Sequence, residues 1–222
     1  PESKAGERRG VGLNENLGRE ILELHTLGVN GGYTQTDVTT LAKIITGWAI
    51  DPPARGGSGK FKFEDRVHEP GSETLLGKTY GQNGMEQGLA ALRDIAHNPA
   101  TAQFIATKMV RHFSGDNPTP ADVNTVASVF LDTGGDLRAV TQAVADLPSV
   151  WATPLPKVKT PYEMIVSTFR GLNLAPDRIE PKRLIGALDT MDHRPFNAPS
   201  PAGWPDRADD WISSSAVMNR IE

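Results

Sequence analysis

Residues 14–48 decide the fold of this chain, and they read NENLGREILELHTLGVNGGYTQTDVTTLAKIITGW. Leucine and isoleucine recur at helical spacing in the first half, which predicts a helix over about residues 14–27 that ends at Gly28. A glycine pair then forms a turn, and Thr36 is predicted to cap a second helix that runs to about Thr46. The stretch therefore predicts a helical hairpin.

The composition changes between residues 47 and 84, where glycine, proline and serine interrupt the sequence repeatedly. Short β-like pieces fit residues 48–50, 61–63 and 75–80, so this excursion is expected to contain one small hairpin. Long ordered loops inside compact domains are often functional. The excursion is therefore a candidate functional region.

Helices resume after the excursion, and several begin with recognisable caps. Asn98 and Thr119 each precede a proline, and Thr160 with Glu163 forms a capping box. The predicted helices cover about residues 86–96, 99–113, 120–131, 137–145, 161–172, 181–191 and 208–221. The sequence thus predicts a mainly α, irregular multi-helix array, with a flexible segment over residues 1–11 and a single helical domain over residues 12–222.

Composition excludes several classes of protein. The chain has 222 residues, a net charge of −4 and no cysteine, which removes disulfides, thiolate metal sites and a cysteine nucleophile. The negative charge and the lack of a basic run argue against nucleic-acid binding. No apolar run approaches the ~18 residues of a transmembrane helix. The chain begins with Pro1 and shows no signal-like segment, so we expect it to be a piece of a longer protein.

Several stretches resemble one large bacterial family, the "domain of unknown function 1800" family. Residues 14–48 carry the strongest likeness, and the weaker ones are HEPGSETLLGKTYG (68–81), HNPATAQFIATKMVRHF (97–113), KTPYEMIVSTFRGLN (159–173) and APSPAGWPD (198–206). The resemblance implies a helical protein about twice this length, with this chain as its C-terminal half and the N-terminal half as a partner. It also implies export to the periplasm or the outside, and it assigns no activity.

The first helix carries acidic side chains beside its predicted apolar stripe, Leu17, Ile21 and Leu24. Glu20 borders that stripe, and a half-buried carboxylate needs a cation or a metal as its partner. Glu15, Arg19 and Glu23 are also spaced for a chain of i,i+4 ion pairs, which is the simpler interpretation of this helix face.

A metal site is one hypothesis for these carboxylates and the nearby histidines. The candidate functional residues are Glu20, Glu23, His25, His68 and His97, and the candidate metal ligands among them are the three histidines and Glu20. Imidazoles with a carboxylate suit a divalent Zn, Fe or Mn ion that activates water. However, Glu20 and His25 project about 140° apart on one helix, and no HExxH spacing occurs.

The histidines differ in how easily a structural role explains them. His25 and His97 close helices, where a cation interacts favourably with the helix dipole. His112 continues an apolar stripe and is expected to be a core histidine. His68 lies in the excursion directly before Glu69, where a structural role is hardest to find, so it is the best functional histidine.

Tryptophans supply the remaining candidates. Trp48 and Trp204 lie beside loops, where an exposed indole could stack on a ligand. A tryptophan between glycine and proline, as at Trp204, more often attaches a loop to the core. Both interpretations stay open for the two residues.

Two functions therefore compete. The favoured one is a non-catalytic binding or assembly module that acts on a partner protein or a surface polymer, because no catalytic spacing is recognisable. The alternative is a metal-dependent hydrolase or oxidoreductase with a His/Glu site. A third hypothesis is that this chain completes a site whose active groups lie in the N-terminal half.

Overall fold

The computed structural model describes residues 13–152, 157–175 and 179–221, and the predicted flexible segment 1–11 lies outside them. The described residues contain ten helices: α1 (Asn16–Glu20), α2 (Gln35–Ile44), α3 (Met85–Ala96), α4 (Pro99–Ser114), α5 (Pro120–Asp132), α6 (Leu137–Ala145), α7 (Pro148–Ala152), α8 (Pro161–Gly171), α9 (Pro181–Thr190) and α10 (Ser214–Ile221). They also contain four strands: β1 (Trp48–Ile50), β2 (Phe61–Phe63), β3 (Glu73–Leu75) and β4 (Lys78–Tyr80). The predicted mainly α class with small β elements is confirmed.

The chain divides into two compact units. Within the described residues, the first unit runs to Ile105 and includes Phe130–Gly135, and the second contains Ala106–Val129 and the residues from Asp136 onward. A single domain over residues 12–222 stays a prediction. Among the described residues, no helix has the length and apolar character needed to cross a bilayer.

The predicted helical hairpin opens the first unit, but its first arm differs from the expectation. Helix α1 continues as a π-helical turn over Ile21–His25, and its apolar stripe rotates as a result. Leu17 is 54% exposed, whereas Leu22 is fully buried. The predicted stripe was wrong at Leu17, which precedes this turn, and it did not include Leu22, because i→i+5 hydrogen bonding adds a residue after Glu20 that regular helical spacing does not anticipate.

Thr34, rather than the predicted Thr36, caps α2. The Thr34 amide donates to Asp37 Oδ2 at 2.8 Å, and the Asp37 amide donates to Thr34 Oγ1 at 3.3 Å. This reciprocal capping box needs an acidic residue three positions after the cap, and only Thr34 has one. Helix α2 packs closely on α1, since a Cβ on Gly18 would lie 3.0 Å from the Val38 carbonyl oxygen.

The excursion folds into two antiparallel hairpins, one more than predicted. Strand β1 pairs with β2, and β3 pairs with β4 with Leu75 opposite Lys78. The predicted β-like piece 75–80 turns back at Leu76 and Gly77, which both have positive φ, as a two-residue hairpin turn requires. Asp37 Oδ1 accepts the Leu76 amide at 2.8 Å, so the second helix holds this turn.

Each unit has its own buried side chains. In the first unit the core cluster contains Leu22, Leu27, Val38, Leu41, Ile44, Ile45, Leu75, Tyr80, Ala91 and Ile95. In the second unit the buried residues include Val140, Val144, Leu147, Leu188, Met191 and Trp211. The predicted helix over residues 208–221 is interrupted: a 3-10 turn at Ala208–Asp210 precedes Trp211, and α10 starts only at Ser214.

Candidate functional site

A cleft of about 540 Å³ lies in the second unit, beside α8 and the segment that leads into it. Phe113, at the end of α4, belongs to the lining. The other lining residues used below are Lys157, Val158, Lys159, Tyr162, Glu163, Val166, Ser167 and Arg170, and we call this feature the α8 cleft. Its residues come from two separate stretches of sequence, the end of α4 with His112 and Phe113 and residues 157–170, which only the tertiary structure brings together.

Apolar side chains form one wall of the α8 cleft. Tyr162 and Val166 are one helical turn apart on α8, so they lie on the same helix face. Tyr162 is 53% exposed and Phe113 is 51% exposed, although both are large apolar side chains. The wall therefore offers aromatic and aliphatic surface that the described residues of this unit do not cover.

Cations border this wall. Lys159 Nζ donates to Ser167 Oγ at 3.0 Å, and Lys159 is exposed. Arg170 is also exposed, and its guanidinium forms no ion pair with any described residue. Glu163 is the acid in the lining, and its Oε2 accepts the Thr160 amide at 2.8 Å in the predicted capping box. The carboxylate of Glu163 is thus engaged by the helix end, while two cations face the solvent.

Lys157 joins the base of the cleft to a distant loop. Its ammonium lies 2.7 Å from Asp206 Oδ1 and donates to the backbone oxygens of Asp206 at 2.8 Å and Arg111 at 3.1 Å. His112 Nδ1 is 3.3 Å from the same Asp206 oxygen. His112 is exposed and its ring packs edge-on against Phe113, so the prediction of a core histidine was wrong. The apolar stripe of α4 therefore ends before His112, which faces solvent.

His193 contacts the first turn of α8 and was not among the functional residues predicted from the sequence. It is buried, with ring centroids 4.6 Å from Trp204 and 4.9 Å from Trp211. Its Nδ1 accepts the Tyr162 amide at 3.3 Å, which satisfies a free donor in the first turn of α8. Burial lowers the pKa of His193, and the carboxylate of Glu163 offsets this only in part. Its position after α9 carries no local pattern that distinguishes it from a surface histidine.

The two candidate stacking tryptophans are both half-buried in packing contacts. Trp204 packs edge-on against His193. Trp48 packs edge-on against Phe61 at 5.4 Å, and a Cβ on Gly88 would lie 2.7 Å from its ring. These contacts give each indole a structural role, and a stacking role for either stays a prediction.

His68 is held in place by the end of α2. Its Nδ1 is 2.9 Å from the Thr46 backbone oxygen, so we assign the proton to Nδ1 as donor. The Thr46 hydroxyl also accepts the Glu69 amide at 2.8 Å. These hydrogen bonds attach the excursion to the residues that follow α2. They give His68 a structural role that the sequence did not reveal.

The other candidate residues of the first helix lie in separate environments. His25 ends the π-helical turn and His97 follows α3, so both close helices as expected. Glu20 is half-buried, and Glu23 Oε2 accepts a long hydrogen bond of 3.5 Å from the Tyr33 hydroxyl. The part of the chain that the structure describes contains no group of three or more histidine, aspartate or glutamate side chains placed to hold a metal ion.

The predicted ion-pair chain forms only at its start. Arg19 lies 3.8 Å from Glu15, but its guanidinium donates to Gln35 Oε1 at 2.6 Å instead of extending to Glu23. Gln35 in turn donates to Glu15 at 2.6 Å. These polar groups join α1 to the start of α2, which is a structural function.

The fold and the cleft define a mainly helical protein with a ligand-sized depression in its second unit. A family model described as "Protein of unknown function (DUF1800)" matches residues 2–222, and the chain belongs to this family. The comparisons with curated proteins and with solved structures give no match. The family description assigns no activity, so the function has to be argued from the site.

Proposed function

We propose that this chain is a non-catalytic binding module and that the α8 cleft holds its ligand. One observation carries the proposal: exposed aromatic and aliphatic side chains stand beside two solvent-facing cations around a cleft of about 540 Å³. Cavities of this size, lined mainly by apolar groups with a few polar ones, are typical of ligand sites. Exposing Tyr162 and Phe113 to water is unfavourable, and a bound ligand would cover them.

The residues at the start of α8 are held in place by their own hydrogen bonds, which also favours binding. Helix α8 begins with a complete capping box at Thr160 and a proline at its first position. His193 satisfies another donor of the first turn, and Lys157 fixes the segment before the helix. A site whose walls are already ordered loses little conformational entropy when the ligand arrives. This preorganisation is what a binding module needs.

A catalytic role for the cleft has less support. Lys159 and Ser167 are within hydrogen-bonding distance, which is the pairing that Ser–Lys hydrolases use. A lysine base is activated by desolvation, however, and Lys159 is exposed. Ser167 also donates to the Met164 backbone oxygen at 3.0 Å, so its proton is already engaged. The metal-dependent alternative lacks a comparable observation among the described residues.

The proposal is tested by nuclear magnetic resonance with a small apolar probe, 3-phenylpropionamide. We expect chemical-shift changes centred on the amides of Tyr162 and Val166 as the probe is titrated. Val166→Arg, which fills the cleft with a charged side chain, should abolish them. The matched control is Val217→Arg, because Val217 is 42% exposed, close to the 36% of Val166, lies on a different helix and does not line the cleft.

Two results would contradict the proposed function. One is the lack of any shift at millimolar probe. The other is a set of shifts that spreads over exposed apolar residues alike and survives Val166→Arg. Either outcome would mean that the cleft has no preference for apolar groups over the rest of the surface.

A further inference from the structure

We infer that the ligand of the α8 cleft is an extended peptide segment of a partner protein in which an apolar side chain stands next to a carboxylate. The inference rests on the proposed function and adds the chemical class of the ligand. It follows from the charge of the cleft, the character of its wall and the openness of its rim.

The charge of the cleft opposes that of the chain. The whole chain has 27 acidic and 23 basic side chains, yet the cleft lining has three cations and a single carboxylate. Lys157 is neutralised by Asp206, and Glu163 is engaged by the Thr160 amide. Among the described residues, Lys159 and Arg170 are therefore the lining cations without an acidic partner, and they can bind an anion. A guanidinium binds a carboxylate through two parallel hydrogen bonds, which makes Arg170 the better anchor.

The wall favours a peptide over a carbohydrate. A sugar presents hydroxyl groups around its ring and needs donors and acceptors on the protein to replace water. Lys159, Ser167 and Arg170 border the cleft with polar groups, but the wall side chains Val158, Val166 and Phe113 offer none. They instead suit a leucine, methionine or phenylalanine side chain, whose removal from water is favourable.

The rim favours a chain over a small molecule. Sites for small ligands bury most of the ligand surface. Here Tyr162 and Phe113 are each about half exposed, so the cleft is bordered by open surface. An extended segment can place one side chain in the cleft and continue across these aromatic rings.

The experiment screens a random heptapeptide pool displayed on phage against the intact chain and sequences the retained peptides. We expect enrichment of an aspartate or glutamate within two positions of a large apolar residue. Against the double variant Lys159→Gln/Arg170→Gln, the acidic enrichment should disappear while the apolar enrichment remains. Arg138→Gln removes an exposed cation of the same unit outside the cleft and should retain the wild-type peptides.

A synthetic peptide from the enriched set then gives the affinity by fluorescence anisotropy. Replacing its acid by the amide, or using the double variant, should weaken binding about tenfold, the scale expected for hydrogen bonds to a charged group. Polygalacturonate, an anionic carbohydrate, should not compete at equal charge concentration.

Several outcomes would overturn the inference. They are no retained peptides, retained peptides without acidic preference, an affinity unaffected by the double variant, or displacement by polygalacturonate. If the 3-phenylpropionamide shifts at Tyr162 and Val166 persist in such a case, the cleft remains a ligand site and only the peptide class fails. If those shifts are missing as well, the proposed function itself fails.

Discussion

Lys157 Nζ lies 2.7 Å from Asp206 Oδ1 and 2.8 Å from the Asp206 backbone oxygen, so one ammonium fixes both the side chain and the main chain of a residue 49 positions away. The Lys157 side chain is only 16% exposed, which limits screening of the pair by solvent. This contact attaches the loop before α10 to the segment that forms the base of the α8 cleft.

Removing this ammonium should destabilise the second unit. Lys157→Met keeps the length of the side chain and removes the ammonium that donates to two backbone oxygens and pairs with the Asp206 carboxylate. We expect the free energy of unfolding to fall by about 1–3 kcal/mol, measured by urea denaturation. Lys182→Met, at an exposed position of α9, is the matched control and should change the free energy by less than about 0.5 kcal/mol. Equal effects of the two substitutions would show that the Lys157 contacts contribute nothing measurable.

His193 should make the stability of the protein depend on pH. Its pKa is lowered in the folded state because it is buried, so the unfolded chain binds the proton more readily. The stabilisation is therefore complete above the unfolded value of about 6.5 and is lost as the pH falls below it. Protonation would also remove the acceptor for the Tyr162 amide.

The measurement compares the wild type with His193→Gln between pH 8 and pH 5. The wild type should lose more free energy of unfolding over this range than the variant, which has no imidazole to protonate. His112→Gln removes an exposed histidine of the same unit and serves as the control. A wild type and a His193→Gln variant with parallel pH profiles would contradict the prediction.

Asp37 should stabilise the first unit because its carboxylate accepts hydrogen bonds both from the cap of α2 at Thr34 and from the β3–β4 turn at Leu76. Burial alone would raise its pKa, but hydrogen bonds from Thr34 and from the Leu76 amide outweigh burial and lower the pKa. The stabilisation is thus present at neutral pH and is lost as the pH falls through the lowered value. Asp37→Ala should cost about 1–3 kcal/mol in thermal or urea unfolding.

Thr36 provides a control for this prediction within the same turn. Thr36 is exposed and does not cap α2, although the sequence favours it as the cap. Thr36→Ala should therefore change the free energy of unfolding by less than about 0.5 kcal/mol. If Thr36→Ala were as costly as Asp37→Ala, the capping box at Thr34 would be the wrong assignment.

Gly88 should be intolerant of any side chain because of Trp48. A Cβ at this position would lie 2.7 Å from the indole, so Gly88→Ala must displace the ring and should destabilise by about 1–3 kcal/mol. Gly186 also lies within a helix, but a Cβ there would meet no atom within 4 Å. Gly186→Ala should stabilise by about 0.5–1 kcal/mol, because alanine is the better helix former. Melting temperatures of the two variants should move in opposite directions.

Local sequence was sufficient for much of the secondary structure. Helix α6 has the predicted bounds, and the capping box at Thr160 forms as expected, because a cap depends on side chains three residues apart. Strands β1 and β2 also match their predicted residues. The prediction failed where two neighbouring residues could both cap a helix, as Thr34 and Thr36 could, and where the helix period changes after Glu20.

The sequence by itself thus determined the mainly α class, most helix boundaries and the resemblance to the family. The tertiary structure alone decided the site. Phe113 lies 44 positions before Lys157 in the sequence, and none of Phe113, Lys157 and Arg170 has a neighbour that marks it as functional. The physical reason is that caps and turns depend on interactions within a few residues. A cleft, a buried His193 and an uncompensated charge instead depend on which distant segments pack together.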